Sequence, residues 1–330
     1  MSYPKPLSEK SIEKLYQQAD FSTEVRDFLQ SFFNACANLY GAIALRDVWH
    51  IYGALTDAPK LRRKDLLTFS GIVRREEHSY YVFEVDELYS AETRNDLDRF
   101  IVSKELVSSG YGKFHLFYRL MEELDNKPYC MPVQFLSYAE PVPSAEETAL
   151  VAFLSNLTSV TDECAPKHGK AVPNEHKGMK LGEFSFLNAS ERFEVEWLKK
   201  RPSALKEFLE DCSGAVSEKI MRFLKRGDHL GRQNPVESLQ WLIDDLEEAG
   251  VEMTFDKVDA LSKLVMDFHN SSHLWCLSGW QPNELVKMYH GKSLTAISFG
   301  PEMQKTFADG SLDKDELVRE IRKMGLDVIE

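Results

Sequence analysis

The sequence predicts an α+β fold that is mainly α. Three observations carry this. Apolar residues recur at three- and four-residue steps through most of the chain, short β-rich runs fall in the first half, and capped helix starts dominate after residue 188. The bulk numbers fit an ordinary globular protein: 330 residues, 43% hydrophobic, 28% charged and 11% aromatic, enough chain for about two domains. A formal net charge of −13 argues against coating of nucleic acid by the whole molecule. It leaves room for one local basic face.

The elements follow in order. Residues 22–39 place Val25, Phe28, Phe32, Cys36 and Leu39 on one helix face, with Ser22 as N-cap and Gly41 as stop. Residues 42–45 are expected to be extended. Asp47 opens a second helix with Val48, Ile51, Tyr52 and Leu55 inward, broken by Pro59. A third helix is expected over 61–70, stopped by Gly71. Residues 72–85, IVRREEHSYYVFEV, read as a hairpin around Glu76, Glu77 and His78. Helix, short strand, helix, helix, hairpin is the element order of a winged helix, whose helical half is a helix-turn-helix. The prediction is therefore an N-terminal winged-helix-like unit followed by a helical bundle.

Residues 97–106 and 114–124 are expected as two further helices and 133–138 as a strand. Ser144 and Glu147 form a capping box for a helix to about Leu157. Residues 158–182, rich in Gly, Pro, Lys and His, read as a long exposed loop. Asn188 with Glu191, and Asn234 with Pro235 and Glu237, start two more helices, the second ended by Gly250. Thr254 starts another, with Val258, Leu261, Leu264, Val265 and Phe268 inward. The last begins near Asp313, boxed by Glu316, and stops at Gly325. The expected domains are residues 1–140 (winged-helix-like, with additional helices), 141–187 (capped helix and loop) and 188–330 (helical).

The start of the chain lacks the pattern of a signal peptide, and no apolar run is long enough to cross a bilayer. A cytoplasmic location without membrane contact is expected. Cys36, Cys130, Cys164, Cys212 and Cys276 form no CxxC pair and read as free thiols, several of them buried. The sequons at Asn156, Asn188 and Asn270 carry no meaning in that compartment.

Chemistry-bearing motifs are few. No GxSxG, HExxH or complete GxGxxG occurs. Gly112-Lys113 is followed by Phe114, and Val107 stands where a phosphate loop needs its first Gly. In FADGSLDKDEL, Gly310 and Glu316 have EF-hand separation, but Lys305 and Phe307 fall where oxygen ligands belong. The carboxylate pairs Asp244-Asp245 and Glu247-Glu248 read as a wet helix face, and His115 as a core-edge histidine. Cys164, His168 and His176 lie in the exposed loop at no metal-site spacing. The basic run is the stronger signal. Lys60, Arg62, Arg63 and Lys64 open the third helix, and Arg74 and Arg75 sit on the first hairpin arm, the surfaces a winged helix presents to DNA.

The stretch NSSHLWCLSGWQPNEL, residues 270–285, reads as a helix–corner–helix connection. Asn270 caps the turn, Trp275 and Trp280 plug the gap, Gly279 turns the chain, and Pro282 and Glu284 start the next helix. His269, His273 and Cys276 are weak metal candidates there; the Glu of HExxH is replaced by Asn270. Through Asn270, Trp275, Gly279, Pro282, Asn283, Glu284 and Leu285 the stretch resembles a segment of uncharacterised bacterial proteins often carrying a SEC-C zinc motif. The residues at the end, MGLDVIE, hold no Cys/His cluster, so the zinc-linked role of that motif is not carried over.

The resulting reading is a bacterial-type binding protein rather than an enzyme, needing no cofactor. It is expected to be DNA-binding or regulatory through the N-terminal unit, with partner contacts or self-association through the C-terminal helices. The alternatives are a protein-interaction module that never meets nucleic acid and a metal-dependent enzyme using a His/Cys site.

Overall fold

The structure is a computed structural model. It describes residues 3–56, 58–89, 97–107, 112–124, 128–164, 172–199, 205–206, 208–209, 212–231, 235–290, 296–298, 307, 314, 317–319 and 327–329. The chain divides into two compact units, Met1–Trp280 and Gln281–Glu330. The architecture is α+β and mainly α, as the periodicity predicts.

The first unit starts with α1 (Glu9–Gln18), which the sequence reading did not anticipate. Then come α2 (Thr23–Tyr40), β1 (Ala42–Ala44), α3 (Leu45–Ala54) and α4 (Arg63–Val73). Ser22 accepts the Val25 N–H at 3.3 Å, satisfying one of the orphan donors at the start of α2. Gly41 closes that helix at φ 68°. β2 (Tyr80–Glu84), a short α5 (Val85–Leu88) and β3 (Arg99–Ser103) follow. The sheet order is β1-β3-β2, antiparallel throughout, with Ile43 and Val82 both opposite Ile101.

Three expectations are corrected here. Gly71 does not stop α4, which runs to Val73. The 72–85 hairpin is therefore absent: Ile72 and Val73 finish a helix, and the partner of β2 is β3, reached through residues 85–98. Residues 99–103, read as part of a helix, form the central strand. That strand is apolar on both sides, so it lacks the alternation that marks a half-buried strand. Ile43, Tyr80, Val82 and Ile101 face one core with Phe32, Phe33 and Phe69. Ala42, Ala44, Phe83, Phe100 and Val102 face another, with Phe117, Leu120 and Trp275.

The second of these cores is closed in part by α6 (His115–Glu123), the predicted helix. Residues 135–139 form a 3-10 turn, Phe135–Ala139, instead of a strand. A third apolar cluster joins α7 (Ala145–Asn156), α9 (Val216–His229), α10 (Pro235–Glu248) and α11 (Phe255–Ser271). α8 (Ala189–Leu198) lies between α7 and α9 in the chain, capped by Asn188, which accepts the Glu191 N–H at 2.9 Å while Glu191 accepts the Asn188 N–H at 2.8 Å. β4 (Glu163–Cys164) and β5 (Val172–Pro173) pair within the stretch expected to be a loop. The second unit holds α12 (Pro282–His290) and the parallel pair β6 (Ala296–Ser298) and β7 (Asp327–Ile329). The Asn234 cap and the Asp313, Glu316 and Gly325 helix limits lie outside the described residues.

No helix among the described residues is long and apolar enough to cross a membrane. Phe117 tests the double-sided sheet. It is fully buried, edge-on to Phe100 at 5.9 Å. Phe117→Ala is expected to cost about 3–5 kcal/mol, measured as a shift in the urea midpoint. A change below about 1 kcal/mol would mean that this sheet face is not packed as described.

Candidate functional site

α4 positions most of the predicted basic residues. Its inward face is Leu66, Phe69, Ile72 and Val73, all buried. One turn away in each case, Lys64, Thr68 and Gly71 are exposed, and Arg75 continues the line in the turn after the helix. Spacings of four, three and four put these residues on one side. Lys60 and Arg63, also exposed, stand at the N-terminal end. The turn leading in is pinned by Tyr52, whose hydroxyl donates to the Pro59 carbonyl and accepts the Leu61 N–H at 2.9 Å.

Arg62 and Arg74 have other engagements. Arg62 forms the start of α4 with Asp65: Nε to Oδ2 is 3.0 Å, and the Arg62 backbone N–H donates to Oδ2 at 2.8 Å. The Arg62 hydrogen bond holds the Asp65 carboxyl below the usual carboxylate range. Arg62 remains exposed. Arg74 is not: its guanidinium lies 3.1 Å from Glu84 and 2.9 Å from Glu87, with its side chain 12% exposed. Glu84 also meets Arg99 at 2.9 Å, and Arg99 donates to Ser70 Oγ at 2.8 Å. This chain of ions fixes the end of α4 to the sheet edge. Instead of sitting on a hairpin arm, Arg74 is the C-cap of α4, and Arg75 follows it. Sequence reasoning missed Thr68 and Gly71 because it ended the helix too early; the 64-68-71-75 spacing was the available signal.

The corner at 270–280 is built into the core. Trp275 Nε1 donates to the Asn38 carbonyl at 2.8 Å, satisfying an acceptor in the last turn of α2. Its ring lies so close to Gly41 that a Cβ there would come within 2.4 Å. Gly279, at φ 79°, brings the chain against Tyr40, where a Cβ would meet ring carbon at 2.8 Å. Tyr40 Oη donates to the Cys130 carbonyl at 2.6 Å, and the Cys130 N–H donates to Ser278 at 2.9 Å. Trp280 Nε1 donates to the Pro128 carbonyl at 2.8 Å. Asn270 lies in the last turn of α11, Pro282 opens α12, and Glu284 accepts the Gln281 N–H at 3.1 Å.

The weak metal candidates are engaged with different groups. His273 uses both ring nitrogens, at 2.6 Å from Tyr138 Oη and 2.7 Å from the Gly279 carbonyl. Cys276 Sγ donates to the Asp228 carbonyl at 3.7 Å, and His269 Nδ1 lies 3.3 Å from Asp228 Oδ1. His229, unremarked in the sequence, stacks on Trp275 at 4.5 Å and 19°. Burial and the nearby Lys225 push its pKa down to about 4.

Cys36, Cys130, Cys212 and Cys276 are buried thiols that form no disulfide with one another. His176 stacks on Phe184 at 4.3 Å; His168, the Cys164 side chain, Gly310 and Glu316 lie outside the described residues. His115 is exposed rather than at a core edge, with Nδ1 2.9 Å from the Gly112 carbonyl at the start of α6. Comparison with family models, with curated proteins and with solved structures finds no match for this chain.

Two outcomes are expected. Trp275→Phe keeps most of the apolar area but strands the Asn38 carbonyl, costing about 1–3 kcal/mol, whereas Trp275→Ala costs about 3–5 kcal/mol; a Trp275→Phe midpoint equal to that of the wild type would refute the hydrogen-bond role. For His229, the folded pKa is depressed, so between pH 6.5 and about 4 the unfolded chain binds the extra proton. Stability is therefore lost as pH falls through that window, by about 1–3 kcal/mol from this group. His229→Phe should flatten that part of the urea-midpoint profile; an unchanged profile would exclude His229 as its source.

Proposed function

We propose that residues 23–103 form a winged-helix-like unit and that the exposed side of α4 contacts the phosphates of duplex DNA, making the protein a non-enzymatic binding protein. The element order α2-β1-α3-α4-β2-α5-β3, which departs from a winged helix only by the four-residue α5, and the antiparallel sheet order β1-β3-β2 support the first half of this reading. In it, α4 is the recognition helix and the β2–β3 pair takes the place of the winged hairpin. The observation that carries the second half is the exposed line Lys64, Thr68, Gly71 and Arg75, with Lys60 and Arg63 at its head. It combines cations with a small hydroxyl and a side-chain-free position, which allows close approach to a backbone.

The contact set differs from the one the sequence predicts. Arg74 is excluded because Glu84 and Glu87 hold it and bury it. Arg62 contributes through its charge while holding Asp65. The acids next to β2 and β3 are largely matched, Glu84 and Glu87 by Arg74 and Asp98 by Arg46, and the alternative is a protein-interaction module that never meets nucleic acid. In that alternative the same side of α4 meets an acidic protein surface.

Binding of mixed-sequence duplex DNA by the full chain tests the reading. With about four phosphate contacts, affinity should fall roughly 100-fold between 50 and 200 mM salt. Lys64→Glu/Arg75→Glu should abolish binding while leaving the urea midpoint within about 0.5 kcal/mol of wild type. Arg74→Ala should instead lower stability and leave the salt slope unchanged. Absence of binding at 50 mM salt by folded protein would falsify the phosphate reading and leave the protein-interaction alternative.

A further inference from the structure

Away from α4 and from the tryptophan corner, helices α8, α9 and α10 line a groove of about 880 Å³. That lies within the size range of small-molecule sites, roughly 300–1,000 Å³. Its walls are aromatic. Phe193, Trp241 and Phe223 are 73%, 59% and 47% exposed, beside Phe186. Large apolar rings left in water around one concavity are unfavourable unless something covers them.

The groove is also acidic. Glu191, Asp244, Asp245 and Glu248 line it, against Lys219 as the one cation among the described lining residues. Lys219 is already committed, with Nζ 2.5 Å from Glu191 and 2.5 Å from the Phe186 carbonyl. Glu248 is met by Arg192 at 3.0 Å, and Arg192 lies 5.3 Å from the Phe186 ring centroid. The Asn188 amide approaches Asp245 only to 3.5 Å. Burial, with Glu248 and Glu191 nearby, raises the Asp245 carboxyl to about 6. The carboxylates facing it come from α8 (Glu191) and from its own helix (Asp244 and Glu248), and the cation facing it is Lys219 on α9.

We propose that this groove binds an organic cation: an ammonium with an aromatic or alkyl arm, its charge beside Asp245 and Asp244 and its arm against Trp241, Phe193 and Phe223. Charge complementarity selects this occupant. Four carboxylates against Lys219 and the Arg192 that meets Glu248 leave an excess of negative charge that repels an anion, and a neutral apolar molecule would desolvate Asp245 without compensating it. A cation gains both the carboxylates and the negative faces of the rings.

The probe is benzyltrimethylammonium, titrated into the full chain by calorimetry at pH 7.5 and low salt, with benzyl alcohol as the neutral comparator. Saturable binding of the cation is expected, at least about tenfold tighter than benzyl alcohol. Asp245→Asn and Trp241→Ala should each weaken it by roughly fivefold or more. Binding should also weaken at pH 5, where Asp245 takes a proton. Asp244→Asn serves as a second charge variant should Asp245→Asn fail to give a native circular dichroism spectrum. Three outcomes overturn the proposal: no saturable binding, equal affinity for cation and alcohol, or full affinity retained in the folded charge variant. Loss on Trp241→Ala alone would identify an apolar docking face instead.

Discussion

The C-terminal end of α2 is the point on which the rest of the first unit depends. A helix end leaves carbonyls without partners, and here the end is buried, so water cannot serve them. Trp275 supplies a donor to Asn38, Gly41 leaves space for the indole, and the Gly41 carbonyl accepts the Ser103 N–H at 2.7 Å. One junction therefore joins the helix, the central strand and the 274–280 corner. The Tyr40–Cys130–Ser278 hydrogen bonds extend it to residues 128–130. A side chain at position 41 or 279 would collide with a ring, which is why both positions need glycine for space as well as for positive φ.

Much of this was legible in the sequence wherever local chemistry decides structure. Ser22, Ser144 and Asn188 cap helices as their neighbours predict, and Gly41, Gly250 and Gly279 adopt positive φ. What failed depends on distant partners. β3 is buried on both faces by residues from α2, α4, α6 and the corner, so its sequence shows a continuous apolar run that fits a helix as well. The same ambiguity shortened α4 and converted its last turn into a hairpin arm. No local signal tells Ile72 and Val73 that β2 will pair with a strand beyond residue 98.

The candidate site was half legible for a related reason. A basic run is visible as composition, but which cations point outward depends on the helix register and on the acids brought up from elsewhere. Arg74 looks like Arg75 in the sequence; Glu84 and Glu87 separate their roles. Likewise the acids of α10 look like a solvated face, yet Asp245 shares a groove with Glu191, Lys219 and the four aromatic rings of Phe186, Phe193, Phe223 and Trp241. The corner histidines are a separate case. Their spacing fits a metal site in principle, but His273 has both nitrogens committed to protein groups.

The hydrogen bond from Trp275 to Asn38 spans 237 positions of sequence. Synthesis proceeds at about 5–20 residues per second, so α2 emerges more than about ten seconds before its cap even at the faster rate. During that interval the exposed helix end and the uncovered sheet face are open to wrong partners. A contact of such range also raises the entropic barrier to closure. The buried end of α2 is thus completed only when residue 275 has been made.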